Sequence, residues 1–190
     1  MTDHGHMQWL SRPAHPDSLP RWPHAAKSRT RPPRVHLLAG LKWAGKTTYA
    51  RRLEADLPAV RFTLDEWMLR LHELRYDDPI YPELAESCKS LIWDTALQVL
   101  RARVDVVLDW NQWSRKRRRE WATRAIQAGF EPVLHYIRVP LDTAIAHATI
   151  RNADGRVYAH VLDAAAVRHL ASIFEEPGED EGLKIRVIGD

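Results

Sequence analysis

The sequence predicts an α/β protein with a five-stranded parallel sheet and helices on both of its faces. Two observations support this prediction. Short apolar stretches alternate with longer helical stretches from Arg34 to the end of the 190-residue chain, and a glycine-rich turn follows the first strand. Strands that are joined through helices pair in parallel, and the connecting helices then cover both faces of the sheet.

The predicted strands are short and rich in β-branched and other apolar residues. They span residues 35–39, 60–64, 104–110, 131–139 and 184–188. The predicted helices span about 46–56, 82–102, 114–128, 140–150 and 163–174, and the longest of them carries a broad apolar face. Gly129 ends the third helix and Pro140 begins the fourth.

Residues 1–33 are predicted to form a flexible N-terminal extension, and residues 34–190 a single folded domain. The extension holds six of the 12 prolines and four of the 10 histidines, without apolar periodicity. Its five Lys or Arg and two Asp account for the whole formal charge of +3, so the other 157 residues are neutral. A neutral body disfavours general nucleic-acid binding, which usually requires a basic surface.

The composition indicates an ordinary soluble chain, with 45% hydrophobic and 28% charged residues. The single cysteine, Cys88, excludes an intrachain disulfide, and its apolar surroundings favour a packed thiol over a nucleophile. No stretch resembles a signal peptide or reaches the roughly 18 apolar residues of a membrane span. The sequence therefore predicts a cytoplasmic protein with no membrane segment.

The turn after the first strand matches the phosphate-binding pattern G-x-x-x-x-G-K-[ST]. The matching residues are Gly40, Leu41, Lys42, Trp43, Ala44, Gly45, Lys46 and Thr47, and Thr48 follows them. The two glycines allow the loop to curl with its amides inward, and the N-terminus of the next helix adds positive potential. We therefore predict a nucleotide site in which Lys46 reaches the β- and γ-phosphates and the Thr47 hydroxyl binds Mg²⁺.

Two carboxylates are predicted at the same sheet edge. Asp65 comes directly after the second predicted strand and Asp109 ends the third, and this edge is where open α/β folds bind ligands. One carboxylate can accept a proton from an attacking hydroxyl while the other orients Mg²⁺ or its waters. Helix capping is the structural alternative for either residue, and the two roles are compatible.

Five segments together resemble the small P-loop kinase-like ATP-binding proteins of AAA type, whose relatives include zeta toxins, chloramphenicol phosphotransferase, gluconate kinase and polynucleotide 5′-kinase. The segments are "GLKWAGKTTYARRL", "FTLDEWM", "VVLDWNQWSRKRRREW", "VLHYIRVPLDTAIAHATIRN" and "FEEPGEDEG", and the resemblance covers about residues 34–190. It implies a P-loop NTPase fold with a small mobile lid that supplies arginines to the transferring phosphate. It also implies Asp65 as the base that activates the acceptor hydroxyl, and Asp109 near metal and substrate.

The sequence departs from the family pattern in the loop and in the lid. Lys42 and Trp43 stand where Pro and Gly are usual in the loop, and the bulk of Trp43 could alter the nucleotide's entrance. The lid pattern R-x-x-x-R-N becomes His147, Arg151 and Asn152, so Arg151 is the one expected lid arginine. A histidine stabilises a phosphoryl transition state less than a guanidinium does, which predicts activity that is low, pH-sensitive or rescued by another arginine.

The candidates for that rescue lie in the basic helix that begins near residue 114. Arg115, Arg118 and Arg119 share one helical face by their spacing. A solvated helix surface accounts for the same basic run.

The segment 65–94 is the expected acceptor-binding region. It contains eight Asp or Glu and three Lys or Arg, a net charge of about −5, and four aromatic residues: Trp67, Tyr76, Tyr81 and Trp93. This balance favours a neutral or cationic small molecule over a nucleic-acid end. The candidate acceptor contacts are Trp67, Arg70, Arg115 and Arg118. The alternative is an acidic, solvated helix whose aromatic residues belong to the core.

Three functions are compatible with the sequence. The first is an ATP-dependent kinase for a small alcohol, with ATP and Mg²⁺ as cofactors. The others are a kinase of the zeta-toxin or polynucleotide 5′-hydroxyl type, and a nucleotide-dependent regulatory protein with weak ATPase activity. The chain has no N-K-x-D motif of the GTPases, so adenine is the expected base, with Arg151 and the loop 175–182 as its expected neighbours. The sequence does not define an oligomeric state.

Overall fold

The protein contains a five-stranded sheet in which all pairings are parallel. The computed structural model describes residues 31–72, 74, 78–110, 112–153 and 164–189, and the side chains of 151–153 lie outside that description. The strand order is β2-β3-β1-β4-β5, which confirms the predicted sheet. The strands are β1 (Arg34–Ala39), β2 (Ala59–Thr63), β3 (Asp105–Asp109), β4 (Glu131–Ile137) and β5 (Lys184–Ile188).

The described helices agree with the predicted ones, with one addition. They are α1 (Lys46–Asp56), α2 (Leu64–His72), α3 (Tyr81–Arg101), α4 (Arg115–Gln127), α5 (Leu141–Ala153) and α6 (Ala164–Ser172), and a short 3₁₀ turn spans Glu179–Glu181. The helix α2 is absent from the predicted elements, and the second strand is predicted to continue through Leu64, where the structure begins α2. Leu64 instead begins a helix, because it and Met68 lie one turn apart and are both buried.

The two faces of the sheet carry different helices. Val106 and Leu108 of β3 pack into a core with α2, α3 and α4, whereas Val107 between them packs against α1. Successive strand residues point to opposite faces, so the two cores confirm the predicted layers on both sides. Cys88 of α3 is buried in the first core, as expected of a packed thiol.

Several predictions fall on residues outside the description. These are the character of residues 1–30, the position of Tyr76 and the side chains of the predicted lid residues Arg151 and Asn152. Arg31, assigned to the extension by sequence, donates a 2.6 Å hydrogen bond to Asp105 at the start of β3. In the described part of the chain, no helix is both long enough and apolar enough to cross a membrane.

A buried hydrogen-bonded chain crosses the sheet beneath α1. His36 of β1 contacts Asp105 through Nε2 (3.2 Å) and His135 of β4 through Nδ1 (2.9 Å). Tyr49 of α1 extends the chain with a contact of 2.8 Å between its hydroxyl and His135 Nδ1. Burial disfavours the charged form of both rings. With both histidines neutral, Asp105 accepts at one end, Tyr49 donates at the other, and each imidazole serves as one donor and one acceptor.

Burial lowers the pKa of His36, and it lowers the pKa of His135 to about 3, with additional repulsion from His36 and Arg186. Both rings therefore bind protons more weakly in the folded state than in the unfolded state, whose histidines titrate near pH 6.5. Contacts with His36, Arg31 and the Arg34 amide hold the pKa of Asp105 below its usual range. Asp105 therefore stabilises the fold at any pH above the usual Asp pKa of about 3.9, and this contribution is lost only as the pH falls below that value.

We predict that the free energy of unfolding decreases as the pH falls from about 7 towards 4. The slope should approach about 1.4 kcal/mol per pH unit for each histidine that stays neutral in the fold. Urea denaturation at several pH values measures it. The double replacement His36→Leu and His135→Leu should flatten the profile, whereas Tyr49→Phe should preserve the slope. A wild-type profile that is flat between pH 7 and 4 would contradict the neutral chain.

Candidate functional site

The loop between β1 and α1 has the backbone conformation that its glycines predict. Gly40 has φ +146° and Gly45, the N-cap of α1, has φ +91°. A Cβ atom at Gly40 would lie 2.4 Å from the Ile137 carbonyl oxygen, so any side chain there would displace the loop from β4. Trp43 also has a positive φ of 67°. This conformation favours glycine, in agreement with the glycine that the family pattern has at this position.

Lys46 extends back over the loop from the first turn of α1. Its Nζ donates to the carbonyl oxygens of Gly40 (3.0 Å) and Leu41 (2.8 Å). Burial and the neighbouring Lys42 lower the pKa of Lys46 to about 8, while Asp109 and Asp65 act in the opposite direction. The two carbonyls hold the ammonium group at the concave side of the loop, where a nucleotide's phosphates would meet it.

Thr47 and Asp109, the two residues predicted to bind Mg²⁺, are in contact at the sheet edge. The Thr47 hydroxyl donates to Oδ1 of Asp109 over 3.3 Å. Asp109 is the last residue of β3 and is only 5% exposed. Burial raises the pKa of Asp109 above its usual value, although Arg61, Thr47 and Lys46 partly oppose this shift.

Asp65 acts electrostatically on the same groups. It is the second residue of α2, where a negative charge is stabilised by the helix N-terminus. Its charge raises the pKa values of Lys46 and Asp109, and it contributes, after burial, to a pKa of about 12 for Tyr81. The structure therefore brings Lys46, Asp65 and Asp109 into one electrostatic cluster, and Asp65 is half-buried within reach of solvent.

Two further residues of this cluster are not among the site residues predicted from the sequence. Arg61 and Thr63 of β2 both donate to Oδ2 of Asp109, over 3.3 and 3.4 Å. The sequence does indicate that Arg61 and Thr63 share a face, because they are two positions apart in a strand.

The loop is also tied to α5. The Trp43 ring packs against Ala144, Ala148 and Val167, and His147 Nδ1 donates to the Trp43 carbonyl over 3.1 Å. Trp43 is 9% exposed, so its ring belongs to the contact with α5 and α6 and is not free in the mouth of the loop. The structure places His147 beside the loop backbone, and the guanidinium of Arg151 lies outside the description.

The structure corrects the predicted role of Arg118. Its guanidinium is fully buried, donates to Glu181 over 2.5 and 2.8 Å, and also donates to the carbonyls of Gln112 and Glu175. A guanidinium with these partners fastens the segment after α6 to α4 and does not face an acceptor. Arg115 pairs with Asp180 in the same segment.

The aromatic residues predicted to face the acceptor belong largely to the core. Trp67 packs edge-on against Phe62 with ring centroids 6.2 Å apart, and Trp93 packs in the same way against Trp121 at 5.9 Å. Tyr81 also packs against this core. The structural alternative for these rings is therefore correct, whereas Arg70 is exposed on α2.

A pocket of about 530 Å³ adjoins the loop at Leu41. Its walls come from the end of β4, the start of α5 and the residues after α6, including Tyr136, Phe174 and Glu176. The rings of Tyr136 and Phe174 lie 6.0 Å apart. Burial and a hydrogen bond to Glu176 raise the pKa of Tyr136 to about 12.

The donor set fits the groups that the motif implies. Mg²⁺ in nucleotide sites takes few protein ligands and keeps water and phosphate oxygens, and a hydroxyl beside one buried carboxylate supplies such a pair. No cluster of three or more metal-binding His, Cys, Asp or Glu occurs among the residues that the structure describes.

Comparison with known proteins identifies a family and a fold. The family model for the AAA domain, AAA_33, matches residues 35–177. No curated protein matches the chain.

Solved structures with the same fold share little sequence with the chain. A chain of the Pnkp1/Rnl/Hen1 RNA repair complex is 17% identical over 78% of this chain, with a TM-score of 0.64, and this protein spans only 46% of its length. A candidate kinase from Chloroflexus aurantiacus is 16% identical, with 84% and 86% of the two chains covered and a TM-score of 0.63. Kti12 from Chaetomium thermophilum, solved with ADP-AlF3, is 15% identical, with 81% and 88% covered and a TM-score of 0.59.

The family match covers most of the chain, and the loop, the sheet order and these structures agree with one another. The protein belongs to the AAA domain family and has the nucleotide-binding fold of P-loop kinase-like proteins.

Proposed function

We propose that the protein is a kinase that transfers the γ-phosphoryl group of Mg·ATP to a hydroxyl group of a small molecule. One observation carries the proposal. The Thr47 hydroxyl and the Asp109 carboxylate meet 3.3 Å apart at the mouth of a loop whose Lys46 faces inward. A third group, Asp65, acts electrostatically on both Lys46 and Asp109.

The residues divide the chemistry among them. Lys46 and the loop amides bind the phosphates and stabilise the charge of the transferring group. Asp65 accepts the proton of the acceptor hydroxyl as its oxygen bonds to the γ-phosphorus and the bond to the ADP oxygen breaks. Thr47 and Asp109 hold Mg²⁺, which when bound neutralises the charge on the phosphate oxygens.

The charge of segment 65–94 supports a neutral or cationic acceptor. Among the described acidic groups, Asp65 stands at the start of α2 beside Glu66, which pairs with Arg61 and Arg51 over 3.4 and 3.6 Å, and Glu86 pairs with Lys89 over 2.6 Å. A polyanionic acceptor would be repelled at this side of the site. Since Trp67, Tyr81 and Trp93 pack in the core, this preference rests on charge and not on stacking.

The pocket beside Leu41 supports a site for the nucleoside. Its volume is typical of small-molecule sites, and it continues from the loop that would hold the phosphates. Phe174 offers an aromatic surface to a base, and Glu176 offers a carboxylate that accepts hydrogen bonds from an exocyclic amine. We propose that adenine binds here.

Lys46→Ala should lower the affinity for ADP about 10- to 100-fold, because charge-assisted hydrogen bonds contribute about 1.5–3 kcal/mol each. Calorimetry measures this change. Lys184→Ala is the matched control, since Lys184 pairs with Glu131 on the surface, and it should bind ADP as the wild type does. Equal affinities of the two variants would refute the assignment of the loop.

Asp65→Asn should lower phosphoryl transfer by about 10²- to 10⁴-fold, the usual contribution of a general base, while ATP remains bound. The acceptor is first found by screening neutral and amino-bearing alcohols for an ATP-dependent mass gain of one phosphoryl group. Glu120→Gln is the control, because Glu120 pairs with Arg124 on the exposed surface of α4. If the Asn variant still transfers the phosphoryl group, Asp65 is not the base. If the wild type binds ATP but transfers phosphate to none of the alcohols, a nucleotide-dependent regulatory protein is favoured.

Phe174→Ala should weaken ADP binding by roughly 5- to 100-fold, the range of base stacking on aromatic side chains. Pyrophosphate binding should not change, because the loop alone contacts it. Competition between these ligands in the wild type and the variant separates the two effects. If ADP and pyrophosphate weaken equally, the pocket does not take the nucleoside.

A further inference from the structure

The side chain of Asp109 accepts hydrogen bonds from β2 on one side and from α1 on the other. β3 lies between β2 and β1 in the sheet, and Thr63 of β2 is in register with Asp109. Thr63 and Arg61 therefore reach the carboxylate from the β2 side, while Thr47 reaches it from the first turn of α1, which follows the loop after β1. The parallel strands bring all three donors to one edge.

The two oxygens of Asp109 have different partners. Oδ1 accepts from Thr47, whereas Oδ2 accepts from both Arg61 (3.3 Å) and Thr63 (3.4 Å). A carboxylate that is held through one oxygen has a fixed plane and presents the other oxygen in a defined direction. The direction in this case is towards the Thr47 hydroxyl.

The guanidinium of Arg61 is itself held from two helices. Nε lies 3.4 Å from Glu54 of α1, and Nη2 lies 3.4 Å from Glu66 of α2. The side chain is 12% exposed. Three carboxylates on three elements thus restrict one planar cation, so its position relative to Asp109 follows from the fold.

We propose that Arg61 and Thr63 are positioning residues that hold Oδ2 of Asp109, so that Oδ1 faces the Thr47 hydroxyl and the cation of a bound nucleotide. This inference rests on the proposed function for its metal. Hydrogen bonds to a ligating carboxylate typically change metal affinity or activity by 10- to 100-fold. A purely structural ion pair would instead stabilise the fold without affecting the response to Mg²⁺.

The test compares the affinity for ADP in Mg²⁺ and in EDTA, measured by calorimetry. Arg61→Met should reduce the gain in affinity from Mg²⁺ by about 10- to 100-fold and leave the affinity in EDTA unchanged. Thr63→Val, which is nearly isosteric, should reduce the gain in affinity from Mg²⁺ by less than Arg61→Met does. Thr63→Ser, which keeps the hydroxyl donor, should retain the wild-type gain. Arg34→Met is the control, because Arg34 is an ion-paired arginine on β1 whose side chain contacts Glu131.

Thr63→Val also decides the question if Arg61→Met does not fold, since it removes one donor to the same oxygen without removing a charge. Folded variants that keep the wild-type gain from Mg²⁺ would overturn the positioning role. Equal losses in Mg²⁺ and in EDTA would overturn it as well, because they would indicate damage to the loop. A wild type that gains nothing from Mg²⁺ would overturn the proposed metal site together with this inference, whereas the other outcomes leave the proposed function intact.

Discussion

The pairing of β1 with β3 is the constraint on which the rest of the site depends. Leu37 lies opposite Leu108 in a parallel register, so the two strands end side by side. The residues that follow them therefore lie at the same edge of the sheet. The loop after β1 leads into α1, whose second residue is Thr47, while β3 ends on Asp109. A contact of 3.3 Å between residues 62 positions apart follows from this register. Had β2 paired directly with β1, the carboxylate of Asp109 would have been separated from the loop by a strand.

The charges of the site stabilise one another because most of them are removed from water. Burial raises the pKa of Asp109 and lowers that of Lys46, and each of these groups shifts the other in the opposite direction. Arg61 adds a second cation and is balanced by Glu54 and Glu66. Removal of one member of such a cluster leaves its partners buried without compensation. The same logic applies to Arg118 and Glu181, whose buried pair holds in place the segment that carries Glu176 to the pocket beside Leu41.

The sequence predicted the features that depend on neighbouring residues. The loop, the five strands and the carboxylate at the end of β3 all have local signals, and the positive φ of Trp43 agrees with a position where relatives have glycine. The partners of Arg118 could not be predicted, because Glu181 lies 63 residues away and the basic run around Arg118 is typical of an exposed helix. The helix α2 was missed because its nine residues carry a short apolar pattern. The period of the strand places Arg61 and Thr63 on one face, but their contact with Asp109 also depends on the strand order, which composition and periodicity do not determine.

The most direct test of the account is a crystal structure of the protein with ADP and Mg²⁺. The account predicts the β-phosphate against the amides of residues 43–47 and Lys46 Nζ, with the cation about 2.1 Å from Thr47 Oγ1 and on the side of Asp109 Oδ1. It also predicts the adenine ring in the pocket between Leu41 and Phe174. Phosphates bound away from the loop, or a cation without contact to Thr47, would contradict it.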